Sequence, residues 1–117
     1  MGGHDQYISA AIEQAKKSPM GFQLGAVIVQ KGSIVARGYN RYVNSCSYER
    51  RISIHAEADA ISKCSPQHLY GATLYVVRYY NGRLLLAKPC VGCTRRIERS
   101  QLGGVYYTNR FSTVPGE

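Results

Sequence analysis

The residues best able to do chemistry sit in two short stretches: "SIHAEADAISKC" at 53–64, with His55 and Glu57, and "PCVGC" at 89–93, with Cys90 and Cys93. A catalytic zinc ion takes three nitrogen or thiolate ligands and keeps one position open, and His55, Cys90 and Cys93 match that demand in number and type. The Cys-x-x-Cys spacing turns both sulfurs to one side of a helix start, where the positive end of the helix dipole favours thiolate over thiol. Two helix starts facing one cation are tolerable because the thiolate charges more than offset both dipoles. Glu57, two residues beyond His55, cannot share the histidine's ligand direction but reaches over the open position, so its role is proton transfer. Taken alone, "HAE" reads as the wet face of a capped helix; the cysteine pair makes it a site. A structural zinc site is the competing use of these ligands. It needs a fourth one, from Cys64 or Cys46, and leaves Glu57 without a purpose.

Periodicity supplies the elements that must position these groups. Ile8, Ala11, Ile12 and Ala15 recur at helical spacing behind Asp5, a cap candidate, and Ser18-Pro19 closes a helix over roughly 6–17. "LGAVIVQKGSIVARGYN" predicts two antiparallel strands turning at Lys31-Gly32. Helical spacing returns through Ile54, Ala58 and Ile61, with Ser53 as cap and His55 and Glu57 in the first turn. "ATLYVVRYY" and "RLLLA" form a second hairpin about Asn81-Gly82, "PCVGCTRRIERSQLG" a helix opening on proline, and "VYYT" a strand. The order α, β-hairpin, α, β, α, β implies an α/β layer fold with a sheet of four or five strands.

A chain of 117 residues with 44% hydrophobic and 19% charged residues is expected to be one globular domain spanning 1–117. No apolar run reaches membrane-spanning length and "MGGHDQY" lacks the order of a signal peptide, so a cytoplasmic location and no membrane partner are expected. Cysteine in such a compartment serves as metal ligand or buried thiol rather than in disulfides. The formal net charge of +8 favours anionic partners: nucleotides, nucleic acid or phosphate groups.

The pattern His-x-Glu followed by Pro-Cys-x-x-Cys resembles the signature of the zinc-dependent nucleobase deaminases. With "GAVIV", "GYN", "HAE", "PCVGC" and "VYYT" in order, most of the chain is similar to the cytidine and deoxycytidylate deaminase superfamily, which includes the tRNA adenosine deaminases. The resemblance implies a three-layer fold, a central mixed sheet with helices on both faces and one catalytic zinc ion between two helix N-termini. It implies that His55, Cys90 and Cys93 bind zinc, that Glu57 shuttles protons in a hydrolytic deamination, that Asn40 holds the sugar, and that the backbone near Ala56 and Cys90 meets the base. Two departures stand out. The hairpin "RYYNGRLLLAK" lies where much of the family runs straight into Pro-Cys, and "NRFSTVPGE" follows "VYYT" where relatives carry another strand and a terminal helix. A shortened end favours a homo-oligomer, in which a neighbour supplies the missing cover.

The favoured activity is deamination of a cytosine nucleotide or nucleoside, deoxycytidylate type first. A polynucleotide deaminase acting on cytosine in single-stranded DNA or RNA, or on adenine in tRNA, is the alternative, and a silent zinc module that binds nucleic acid is the third. Arg50, Arg51 and Lys88 are the candidate phosphate contacts, with Arg95 and Arg96 behind them; each has a solvated basic surface as its plainer reading. Cys46, Cys64 and His68 could form a second zinc site, against the commoner buried thiol. Asp59 is expected to be a solvated or capping charge and His4 an ordinary terminal residue. Of the pairs Tyr79–Tyr80 and Tyr106–Tyr107, one member each is expected in the core and the other free to stack on a base.

Overall fold

The computed structural model describes residues 4–42, 53–85, 91–107 and 110–113, with the backbone alone over 91–94 and 110–113. Arg50, Arg51, Lys88, Cys90 and Cys46 lie outside the described residues, and so does the side chain of Cys93. The first helix, α1 (His4–Ala15), runs two residues earlier at both ends than its periodicity suggests, which puts Asp5 inside the first turn. It ends in a tightened turn, Lys17 and Ser18 donating their N–H groups to the carbonyls of Gln14 and Ala15 at 3.0 Å.

Both hairpins form at the expected dipeptides. β1 (Gln23–Gln30) turns into β2 (Ser33–Tyr39) through Lys31 and Gly32 with φ of 52° and 80°. β3 (Arg41–Tyr42) and β4 (Ser53–Ile54) make a separate two-stranded ladder, followed by α2 (Ala56–Ser62) and a short α3 (Pro66–Leu69). β5 (Thr73–Tyr80) turns into β6 (Arg83–Leu85) through Asn81 and Gly82 at 50° and 77°. Two successive left-handed residues match the twist of paired strands, which explains the choice of Asn-Gly. α4 (Val91–Arg99), β7 (Gly104–Tyr107) and β8 (Arg110–Thr113) complete the described chain.

Two expectations need correction. Ser53 is not a helix cap: it belongs to β4, opposite Tyr42, so the helix starts only after the strand releases the chain and His55 takes the N-cap position in extended backbone. The segment after "VYYT" does supply a further strand, β8, antiparallel to β7. An alternating polar–apolar run of four residues carries too little signal to be read as a strand without its partner.

The main sheet has six strands rather than the four or five expected, in the order β2-β1-β5-β7-β8 with β6 also on β5; the short β6 and β8 make the difference. β7 runs parallel to the first half of β5 and every other pairing is antiparallel. Side chains of β1 and β5 alternate between two cores. Val27, Val29, Tyr75 and Val77 meet Ala11 and Ala15 of α1 on one face; Ala26, Ile28, Leu74 and Val76 meet Ala56, Ala60 and Ile61 of α2 and Ile97 of α4 on the other. The result is the expected three-layer α/β arrangement. Glycines let the layers approach: a Cβ on Gly25 would stand 2.0 Å from the Ala11 carbonyl oxygen, and one on Gly38 2.5 Å from the Ala60 nitrogen.

Candidate active site

α2 and α4 share one face of the sheet and touch each other. Their C-terminal connections are stitched together, Gly103 N–H donating to the Ala72 carbonyl at 2.7 Å and Gly71 N–H to the Gln101 carbonyl at 2.8 Å. The strands that follow, β5 and β7, start side by side in parallel, Thr73 opposite Gly104. Each helix therefore runs back against its strand, and the starts of both point toward the carboxyl ends of β5 and β7, where open α/β sheets place ligands. His55 stands at the start of α2 and Cys93 in the first turn of α4. One imidazole together with cysteine thiolates is a donor set that suits zinc. Among the described residues no group of three histidine, cysteine or acidic side chains comes together.

Glu57 is 3% exposed, on the first turn of α2. Burial pushes its carboxyl above the usual carboxylate range, against a backbone hydrogen bond and the charge of His55, which both pull it down. A carboxyl raised in this way holds and releases a proton nearer neutrality, the property a general acid–base needs. Ala56 beside it is fully buried; its carbonyl oxygen faces Gly38 of β2, where a Cβ would stand 2.7 Å away.

Asn40 follows directly on β2 with its amide engaged: Oδ1 accepts the Leu24 N–H at 2.8 Å, and Nδ2 donates to the Phe22 carbonyl at 2.7 Å and to Met20 Sδ at 3.4 Å. That clamp fixes the entry to β1. A row of residues crosses the sheet at this level, Asn40 bonded to Leu24, Leu24 opposite Arg78 of β5, and Arg78 opposite Leu85 of β6. One row nearer the strand starts, Gly38, Ala26 and Val76 lie under α2.

Asp59 is neither solvated nor a cap, contrary to expectation. Its carboxylate is fully buried and accepts from Arg41 Nη2 at 2.7 Å, Lys63 Nζ at 3.1 Å and the Tyr39 N–H at 3.2 Å. Burial opposes the charge, yet the hydrogen bonds from Arg41, Lys63 and Tyr39 together outweigh it and hold the carboxyl below its ordinary value. It ties β2 and β3 to α2, two residues from Glu57. His4 is also more than a terminal residue: Nδ1 is 2.5 Å from the Tyr75 hydroxyl, and the ring stacks on Tyr106 at 5.0 Å. Long-range contacts of this kind leave no periodic trace in sequence.

Cys64 packs in the core near Ile61 and Leu69, while His68 is exposed on α3. Tyr80 is 48% exposed and Tyr79 packs toward α1. Tyr106 and Tyr107 pack against opposite cores, so the expectation of one structural member holds for the first pair and not for the second. A groove of about 460 Å³ between α2, α3 and α4 is lined by Arg95, Arg96 and Arg99 with Ile61, Leu69 and Ser100, at the far end of these helices from Glu57.

Residues 1–109 match the family model described as the cytidine and deoxycytidylate deaminase zinc-binding region. The chain belongs to this family. A diaminohydroxyphosphoribosylamino-pyrimidine deaminase of Schizosaccharomyces pombe is 35% identical over 109 residues, covering 87% of this chain and 25% of that protein. The chain thus spans a quarter of the length of that curated relative. Among solved structures, the dCMP deaminase of cyanophage S-TIM5 superposes with a TM-score of 0.67 at 25% identity, over 88% of this chain and 79% of the other. The cytidine deaminase of Burkholderia pseudomallei shares the fold at a TM-score of 0.70 and 23% identity, over 97% and 94% of the two chains. The deaminase fold expected from the sequence is the fold observed. No helix among the described residues is long and apolar enough to cross a membrane.

Arg78 is the site-end residue that sequence reasoning passed over. Its signal was available: it falls in step with Leu74 and Val76, on the face where the alternation of β5 calls for an apolar side chain.

Proposed function

We propose that this chain is a zinc-dependent hydrolytic deaminase of a cytosine nucleotide or nucleoside, deoxycytidylate type first, releasing ammonia and leaving the uracil product. The observation that carries the reading is the buried Glu57, two residues after His55 at the start of α2, in a chain of the deaminase family. His55, Cys90 and Cys93 would hold one zinc ion, which supplies the Lewis acidity that makes water a nucleophile near neutral pH. Glu57 takes a proton from the attacking water and delivers protons to the ring nitrogen and the departing ammonia. Asn40 meets the sugar, the backbone near Ala56 and Cys90 meets the base, and Arg50, Arg51 and Lys88 meet the phosphate. We take residues 1–117 as a single deaminase domain, working in the cytoplasm as a homo-oligomer.

The panel that tests this scores amine-to-carbonyl conversion by mass spectrometry on cytidine, deoxycytidine, their monophosphates, a phosphoribosylated diaminopyrimidine, single-stranded DNA and tRNA. Turnover of a free cytosine compound that disappears in Glu57→Ala supports the reading. Turnover restricted to the diaminopyrimidine moves the substrate class. The arginine-lined groove favours a second reading, a polynucleotide deaminase with a phosphate chain laid along α4. Turnover on polymers alone, with affinity falling steeply as salt rises, would select it. A protein that binds zinc and nucleic acid yet turns over nothing is the silent module.

A further inference from the structure

We infer that Arg78 joins Arg50, Arg51 and Lys88 in holding the substrate's phosphate and is the one among them that decides between nucleotide and nucleoside; this rests on the deaminase reading above. The guanidinium lies on the α2–α4 face of the sheet, since Arg78 stands opposite Leu24, which packs against that core, and in step with Leu74 and Val76. Two residues beyond Val76, it is displaced about 7 Å along the strand from the row that α2 covers, toward the helix starts that carry His55 and Cys93. Asn40, the candidate sugar contact, is two strand spacings away across Leu24, about 10 Å between backbones. An extended arginine spans most of that distance, so a group held near Asn40 comes within reach of the guanidinium.

Arg78 is held but not neutralised. Its guanidinium lies 4.3 Å from the Phe22 ring centroid, and the Phe22 carbonyl is the group that Asn40 holds. Stacking fixes the plane of the guanidinium fork. Nε is buried with no hydrogen-bond partner, and no described carboxylate forms an ion pair with Arg78. A buried guanidinium N–H without a partner is costly, and the ligand that repairs it is a planar or tetrahedral oxyanion able to take two parallel N–H bonds. On the site's own floor, beside the sugar residue, that oxyanion is the phosphate of a nucleotide.

Calorimetry with deoxyuridine monophosphate and deoxyuridine, on zinc-loaded wild type, Arg78→Met and Arg78→Lys, reads this without any need for turnover. Wild type should bind the monophosphate at least tenfold more tightly than the nucleoside. Arg78→Met should abolish most of that ratio, and Arg78→Lys, a charge without a fork, should keep a fraction of it. In the turnover panel the same loss should fall on KM for the monophosphate more than on kcat. Equal weakening of both ligands in Arg78→Met, or a wild type indifferent to phosphate, overturns the assignment. If Arg78→Met does not fold by circular dichroism, Arg78→Lys decides: an unchanged ratio there counts against it. Absence of turnover on every compound, with the Arg78-dependent phosphate preference intact in calorimetry, would instead sink the deaminase reading and leave Arg78 assigned.

Discussion

At the residue scale, Glu57 shows how a carboxyl acquires a function from its surroundings. Its side chain is almost wholly withdrawn from water at the start of a helix, and that burial raises its carboxyl above the ordinary glutamate value. Glu57→Gln keeps the size and one hydrogen-bonding face but cannot move a proton. It should lower kcat about 10²–10⁴-fold, with zinc content by atomic absorption unchanged. His55→Ala should behave differently, losing the metal along with turnover. Both residues are legible in the sequence because a ligand and an acid two positions apart are a local pattern.

At the element scale the site depends on how α2 is pressed onto β2. Gly38 has α2 backbone where a side chain would go, the Ala60 nitrogen 2.5 Å and the Ala56 carbonyl oxygen 2.7 Å from a Cβ. Gly38→Ala must lift the helix, and with it His55 and Glu57; we expect a loss of about 2–4 kcal/mol in urea unfolding and a larger loss of activity than an exposed substitution causes. Asp59 clamps the same pair of elements. Replacing it by asparagine leaves Arg41 and Lys63 without their counter-charge, although both are partly exposed, and should cost about 2 kcal/mol. Because the folded carboxyl titrates below its ordinary value, folding is favoured by the ionised form. This stabilisation is complete above the unfolded pKa of about 4 and drains away as pH falls through the lowered folded value. Denaturation curves recorded down the acid range should therefore show a shallower decline for Asp59→Asn than for wild type. Only the clamp's Lys63 arm, four positions away, has a local spacing; Arg41 and Tyr39 are 18 and 20 positions away on strands whose register only packing sets.

At the scale of the whole molecule, metal and assembly should both show in stability. A zinc ion that binds only the folded chain stabilises it by mass action, about 4 kcal/mol at a thousandfold excess over its Kd, which in a domain of this size is about 10–20 °C in Tm. Chelation should remove that increment from wild type by scanning calorimetry and find nothing to remove in His55→Ala. β2 and β8 are the outermost strands in the order, and the outer edge of β2 is unpaired among the described residues. Exposed edges invite cover, so multi-angle light scattering should report at least twice the 13.0 kDa of one chain.

The amino-acid sequence by itself determined what is encoded within a few residues of chain: the two turns at Lys31-Gly32 and Asn81-Gly82, the alternating strands, and the ligand-and-acid pattern around His55 and Glu57. Local stereochemistry and side-chain type settle these, and they need no partner. Tertiary structure alone decided that Ser53 joins a strand rather than capping a helix, that β8 continues the sheet, that Asp59 is buried under three donors, and that Arg78 faces the same side as α2. Each of these depends on which distant segment lies opposite, and that choice belongs to the packing of three layers rather than to any stretch of sequence.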